Sequence, residues 1–375
     1  MKRGRIYFDG EVFCWVRSGG LFSAVHILSA LRKRFQVSVF IPSEFRDRSA
    51  SLQTHYRLPA DEVIPLPVTR RTLLALKLLG FPPPGLKLTG ADVVFLTNTN
   101  VFKGIERQIC ICHDLMSVTA PKYFRFRDRL MTNYQIRRLR DPKIAVICHS
   151  EHVAEQVSRL VGVEDTRLLK LPLGLVSRPS RSAVPERPSL SNRPMEALFV
   201  SAYHPRKNFE RLIGYVRRLN REVGNVIRLT VAGPGLRTHL SSEEDAWIRV
   251  RDFVPEDEYA AMFYNSDVHI NPSGAEGFGI SNLDAQGYGL PVMCNDLPVF
   301  HETLGDSAAY FDADDYSSFS RGILRLLNDS EYRRALIDSG FNNVQGSTYV
   351  ENIDRILIPW LVRSCGDALL TTTTT

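Results

Sequence analysis

Residues 271–298 read NPSGAEGFGISNLDAQGYGLPVMCNDLP. A loop containing Glu276, Gly277 and Gly279 runs into a short helical segment that closes at Gly287 and Gly289, and an apolar strand follows at 290–294. A second carboxylate, Asp284, stands eight positions after Glu276. Glycines ahead of a helix let a ligand approach the backbone closely, and the first N–H groups of the helix attract an anion. Carboxylates beside such donors suit a ligand that carries both phosphate and hydroxyl groups.

The stretches on either side repeat the same alternation. Upstream, 197–201 reads as a strand followed by Arg206-Lys207 in a strand-to-helix loop, and Asn208 is placed to cap the next helix. Two adjacent cations on the carboxyl edge of a parallel sheet suit a diphosphate, with a solvated charge pair as the alternative. Strands are expected at 228–232, before Gly233-Pro234-Gly235, at 251–254, and at Val268–Asn271, which enters the opening loop. Downstream come Ala308–Phe311 and helices at 317–327 and 331–339. Asp312 and Asp314 have the spacing of a metal-binding pair, but their place just before a helix reads as helix-start chemistry.

The first half follows the same grammar. A strand start at 5–8, a turn at Arg17-Ser18-Gly19-Gly20, a helix from Leu21 to Leu31 and a strand Val37–Ile41 make a βαβ unit. A leucine-rich basic helix at 70–81 stops at three prolines, and strands follow at 93–97, Gln108–Cys112 and 144–149. His113-Asp114 directly follows the second of these, where a parallel strand delivers residues to a ligand crevice. A capping or packing histidine is the alternative. Residues 123–140 interleave six arginines with aromatic and aliphatic side chains. That pattern fits either a helix with one packed face or an interfacial helix that meets anionic lipid headgroups.

A proline- and serine-rich stretch at 173–195 divides the chain into a first domain, 1–172, and a second, 196–348. A last apolar helix at 349–365 is expected to cross back to the first domain. Charge divides at the same place: residues 1–172 hold 27 Lys and Arg against 15 Asp and Glu, while the whole chain of 375 residues nets only +6. Hydrophobic residues at 44% and charged ones at 23% are those of a soluble globular protein. The six cysteines include only one close pair, Cys110 and Cys112, and no histidine cluster completes a zinc site. They read as reduced, mostly buried thiols in a cytosolic protein. No apolar run reaches the length of a membrane span, and Asp9 and Glu11 interrupt any signal-peptide core. The Thr371–Thr375 tail is expected to be a disordered end.

In order along the chain, Gly19-Gly20, Cys112-His113-Asp114-Leu115, Cys148-His149-Ser150-Glu151, Leu171-Pro172-Leu173-Gly174, Pro205-Arg206-Lys207-Asn208 and residues 276–291 resemble the retaining glycosyltransferases of family 4, the glycosyl transferases group 1, and within them mannosyltransferases. The resemblance implies an α/β chain of the GT-B fold, two Rossmann-like domains facing across a cleft. It further implies that Glu276 holds the donor sugar's hydroxyls, and that the amides of Phe278, Gly279 and Ile280, with Gly277, meet sugar and phosphate oxygens. By the same resemblance Asp284 grips the ribose, Arg206 and Lys207 neutralise the diphosphate, and His113 contacts the sugar from the other domain. Gly20 gives room for the phosphates or the acceptor, and Gly233 and Val254 border the nucleobase.

Two departures stand out: Asp284 replaces the family's usual Glu, and Ser201-Ala202 replaces a frequent Gly-Arg. The implied activity is metal-independent transfer of a mannose-like hexose from a nucleoside-diphosphate sugar, a co-substrate, with no cofactor. The implied acceptor is a glycan or lipid-linked molecule in cell-surface polysaccharide or glycolipid synthesis. The expected location is cytoplasmic, peripheral on the inner membrane face, without nucleic acid as a partner. A sugar-nucleotide epimerase or hydrolase on the same fold remains the alternative.

Overall fold

The computed structural model describes residues 4–14, 19–48, 59–176, 179–184, 189, 190, 192–239 and 247–365. Arg17 and Ser18 of the expected turn, Pro185 and Pro188 of the expected linker, and the Thr371–Thr375 tail lie outside the described residues. The chain divides into two compact units, residues 1–173 with 349–375, and residues 174–348.

The first unit is built on a seven-stranded sheet. Its strands are β1 (Ile6–Asp9), β2 (Val37–Ile41), β3 (Val63–Pro65), β4 (Val93–Leu96), β5 (Gln108–Cys112), β6 (Ile144–Cys148) and β7 (Leu168–Lys170), in the order β3-β2-β1-β4-β5-β6-β7. Every pairing is parallel. β1, β2, β4 and β5 are buried along their whole length, as a parallel sheet covered on both faces requires. The first helix, Gly19–Arg32, starts at the glycines rather than after them, so Gly20 is a first-turn residue and not part of a turn. Helix Arg70–Leu79 is capped by the Thr69 hydroxyl and ends at Gly80 with φ of 83°. The arginine-rich segment is a helix only from Phe126 to Arg138, because Arg125 is extended and Pro121–Tyr123 form a separate turn. Residues 349–365 begin as helix Tyr349–Asn352, widen through one π turn and end as helix Ile358–Cys365. Tyr349, Ile353, Leu357 and Leu361 are buried in the same core as β1 and the first helix.

The second unit has six strands: β8 (Met195–Val200), β9 (Ile227–Ala232), β10 (Ile248–Arg251), β11 (Val268–Asn271), β12 (Val292–Asn295) and β13 (Ala308–Phe311). Their order, β10-β9-β8-β11-β12-β13, is parallel throughout. This is the doubly wound Rossmann order, in which the strand order reverses between β8 and β11 and opens a crevice at their carboxyl ends. Helix Phe209–Val223 buries Leu212, Ile213, Val216 and Leu219 on one stripe against this sheet. The strand expected at 251–254 lies instead at Ile248–Arg251, so Val254 falls in the loop beyond it. The stretch expected as a linker is partly anchored: Leu190 belongs to the second core, and Leu175 and Val184 lie against Gly287 and Gly289. Among the described residues no helix is long and apolar enough to cross a membrane.

Candidate active site

The reversal point of the second sheet gathers the charged residues of two loops. The loop after β8 carries Arg206 and Lys207, and the loop after β11 carries Glu276. The Arg206 guanidinium lies 3.0 Å from one Glu276 oxygen, and the Lys207 ammonium pairs with the other. The Ser273 hydroxyl also donates to Glu276, at 3.1 Å. The Glu276 side chain is only 8% exposed, against 16% for Lys207 and 19% for Arg206. Burial pushes the Glu276 carboxyl up, but Lys207, then Arg206, and the donated hydrogen bonds outweigh it and hold the pKa at about 2.

The backbone explains why the loops meet. Asn208 adopts φ of 50°, the one described non-glycine residue with positive φ. Its side chain was expected to cap the following helix, but it donates to the Pro272 carbonyl at 2.8 Å and so ties one loop to the other. The Arg206 carbonyl accepts from the Gly274 amide at 2.7 Å, and the Arg206 guanidinium donates to the Ala275 carbonyl at 2.9 Å. Beneath them, the single Ser273 hydroxyl proton is shared between Glu276 and the Asn271 carboxamide oxygen, 2.6 Å away, and Asn295 donates to the Ser273 carbonyl at 2.9 Å. This buried polar network fixes Ser273, and through it Glu276.

Gly279, at φ of 89°, turns the chain into helix Ile280–Gly287. A Cβ at this position would lie 2.5 Å from the Phe300 ring, so both the conformation and the space require glycine. Phe278, Gly279 and Ile280 therefore sit at the start of a helix beside the Glu276 cluster, with buried Gly277 between. Asp284, one turn further on, is not drawn into that cluster. Its carboxylate accepts from the Tyr259 hydroxyl at 2.9 Å, and burial pushes its pKa up to about 6 against the lowering effect of that bond. Gly233, at φ of 140°, closes on the neighbouring strand end so tightly that a Cβ would lie 2.0 Å from the Ser201 carbonyl oxygen. Val254 is half-buried, next to Phe253, which is 71% exposed.

His113 and Gly20 belong to the first unit. His113 follows β5, and its Nε2 donates to the Thr97 carbonyl at 3.0 Å. Burial lowers its pKa, so the ring is neutral at ordinary pH. Its neighbour His149, ring centroid 5.5 Å away, donates through Nδ1 to the Leu171 carbonyl and accepts from Ser23, which in turn accepts from Tyr349. Gly20 lies in the first turn of the helix that carries Ser23.

Ser273, Asn208 and Tyr259 were not singled out for these contacts. Ser273 stands three residues before Glu276 inside the quoted stretch, a local spacing that could have exposed it. Tyr259 reaches Asp284 only through the fold. Asp312 and Asp314 do not cap the helix at Tyr316: Asp315 does, accepting from the Ser317 and Ser318 amides, while Asp314 pairs with Arg211. Among the described residues no three His, Cys, Asp or Glu side chains are grouped to hold a metal ion.

Residues 181–343 match the family described as Glycosyl transferases group 1. The chain is 26% identical over 242 residues to O-antigen chain mannosyltransferase B of Escherichia coli, covering 61% of this chain and 63% of that protein. It is also 26% identical over 184 residues to phosphatidyl-myo-inositol mannosyltransferase of Mycobacterium leprae, covering 47% of this chain and 49% of that one. Among solved structures, Anabaena HepE in complex with UDP and glucose aligns with a TM-score of 0.67 at 15% identity, over 96% of this chain and 100% of that one. The matched span contains the whole Arg206–Lys207–Glu276 cluster. Residues 181–343 thus match the glycosyl transferases group 1, within a chain of two Rossmann-like units that has the GT-B fold and is similar to mannosyltransferases.

Proposed function

We propose that this protein is a retaining glycosyltransferase. It moves a hexose, with mannose favoured, from a nucleoside-diphosphate sugar to a glycan or lipid-linked acceptor in the synthesis of cell-surface polysaccharide or glycolipid. The observation that carries this reading is the convergence of Arg206 and Lys207 on Glu276 at the strand-order reversal, beside a helix start. Two cations against one carboxylate leave a net positive charge where a diphosphate would bind. The mannosyltransferases of Escherichia coli and Mycobacterium leprae support the choice of sugar, and HepE, solved with UDP and glucose, supports a nucleotide-linked donor.

In this reading the bond between the sugar's anomeric carbon and the diphosphate oxygen breaks, and the electron pair leaves with the nucleoside diphosphate. Arg206, Lys207 and the amides at Phe278–Ile280 stabilise that developing charge. Glu276, fixed as an anion by the same cations, accepts hydrogen bonds from the sugar's hydroxyls. The acceptor hydroxyl attacks the anomeric carbon on the face the leaving group vacates and gives its proton to the departing phosphate oxygen. The new glycosidic bond then keeps the donor's configuration. Asp284 accepts from the ribose hydroxyls. Because Arg206 and Lys207 carry the charge of the leaving group, turnover is expected to survive a chelator.

The test is incubation of the protein with GDP-mannose, UDP-sugars and dTDP-sugars, each with and without candidate acceptors, followed by NMR of the product's anomeric configuration. Retention, and no sugar release without an acceptor, is expected. Inversion would overturn the mechanism, and rapid release from donor alone would overturn the transfer.

A further inference from the structure

The first unit presents a surface that none of the preceding roles uses. Helix Phe126–Arg138 buries Gln135 and Ile136, yet exposes Phe126 (71%), Leu130 (55%), Tyr134 (52%) and Met131 (38%). Phe126, Leu130 and Tyr134 are four residues apart, so they form one stripe along the helix. Exposed Lys122, Arg125, Arg127 and Arg137 frame that stripe, and Asp128 is the one acidic residue in 121–140. A second helix ends at the same place. The Arg138 guanidinium donates to the Lys77 carbonyl at 2.6 Å, and a Cβ at Gly80 would lie 2.7 Å from it. Leu79 (65%) and Phe81 (57%) flank that junction and extend the apolar surface.

We propose that this face docks the protein on an anionic bilayer. Phe126, Leu130, Met131, Leu79 and Phe81 enter the boundary between headgroups and acyl chains, the Tyr134 ring lies at headgroup level, and the arginines meet lipid phosphates. A nucleic acid would use the cations and the rings, but it offers nothing to bury Leu130, Met131 and Leu79. Charge complementarity together with aliphatic exposure therefore selects the bilayer. The donor plays no part in this argument, so the inference goes beyond the proposed function and fails or stands separately from it.

The experiment is co-sedimentation of the full chain with phosphatidylcholine vesicles and with vesicles that also contain phosphatidylglycerol, at low and high salt. Binding to the anionic vesicles at low salt, weakened by salt and by omission of phosphatidylglycerol, is the expected result. The triple change Arg125→Gln, Arg127→Gln, Arg137→Gln is expected to weaken it on the order of a hundredfold. Phe126→Ser with Leu130→Ser is expected to weaken it roughly tenfold or more. Both variants should keep the wild-type Tm, since the altered side chains are exposed. The proposal is overturned if the wild-type chain ignores anionic vesicles at low salt, if both variants bind like wild type, or if Phe126→Ser with Leu130→Ser instead dissolves a dimer. Nucleotide-induced thermal shifts on the same samples read the donor site independently. Lost vesicle binding with an intact nucleotide shift sinks this inference alone, and the reverse sinks only the donor reading.

Discussion

Each of the two sheets reverses its strand order at one point, and each carries a lysine–carboxylate cluster there. In the first unit, at the carboxyl end of β1, Lys77 lies 2.6 Å from Asp9 and 3.2 Å from Glu11, and Arg70 closes on Glu11 at 3.0 Å. In the second, Lys207 and Arg206 close on Glu276. The chemistry is alike but the access differs. Lys77 and Asp9 are fully buried, whereas Lys207 and Arg206 keep 16% and 19% of their side-chain surface in solvent. Burial disfavours the charged form of Lys77, but Asp9 and Glu11 outweigh it and raise its pKa, and the contacts at 2.6 and 3.2 Å make the cluster an internal strut. Residue types alone do not distinguish an open charge cluster from a buried one; solvent access does.

The sharpest way to break this contrast is Lys77→Met. It strands Asp9 in the core without its cation, and a cost of about 3–5 kcal/mol is expected, read as a large fall in Tm. The corresponding change in the open cluster, Lys207→Ala, leaves Arg206 on Glu276 and should spare most of the stability.

Acid titration probes the open cluster next. The Glu276 pKa falls from an ordinary 4.5 to about 2, so its contribution is fully present above pH 4.5 and is lost as pH falls toward 2. The full shift corresponds to about 3 kcal/mol. Denaturation curves across that window should show less acid sensitivity in Glu276→Gln than in the wild-type chain. Equal slopes would mean that the cations do not hold the carboxylate.

Activity comes third. Lys207→Ala and Glu276→Ala are each expected to lower transfer more than tenfold, at least about 1.4 kcal/mol of transition-state stabilisation, with the fold intact by circular dichroism. The smallest effect belongs to Asp312→Ala. The residue is exposed and outside the cluster, so stability should move by no more than about 0.5 kcal/mol and transfer should be unchanged. A chelator that abolishes transfer, with manganese restoring it, would instead return Asp312 and Asp314 to consideration.

Much of this was legible in the sequence because local chemistry carries it. The glycine loop with Glu276, the helix to Gly287 and the β11 strand follow from turn residues and apolar runs, and the observed β11 and β13 coincide with the expected strands. Strands β3 and β7 are three residues long, too short for any periodicity to register. Helix Pro298–Leu304 also escaped, since its proline start reads equally as a turn. The position of β10 was displaced because Arg249 and Arg251 on an edge strand weaken its apolar pattern.

At the site, the sequence brought Arg206, Lys207 and Glu276 to one sheet edge but gave them separate ligand groups. Only the fold reveals that the cations rest on the carboxylate itself. Likewise Asp9 and Glu11 entered the sequence reading only as charges that interrupt an apolar run. Their pairing with Lys77, 68 residues away from Asp9, is a tertiary event that no spacing rule encodes.

We propose the Arg206–Lys207–Glu276 cluster as the seat of a nucleoside diphosphate. This is tested most directly by thermal shift with GDP, UDP and dTDP, free of metal, on the wild-type chain and on Lys207→Ala. The account requires at least one nucleotide to raise the wild-type Tm and that rise to be lost in Lys207→Ala. A wild-type chain indifferent to all three, or a variant that keeps the full shift, would contradict it.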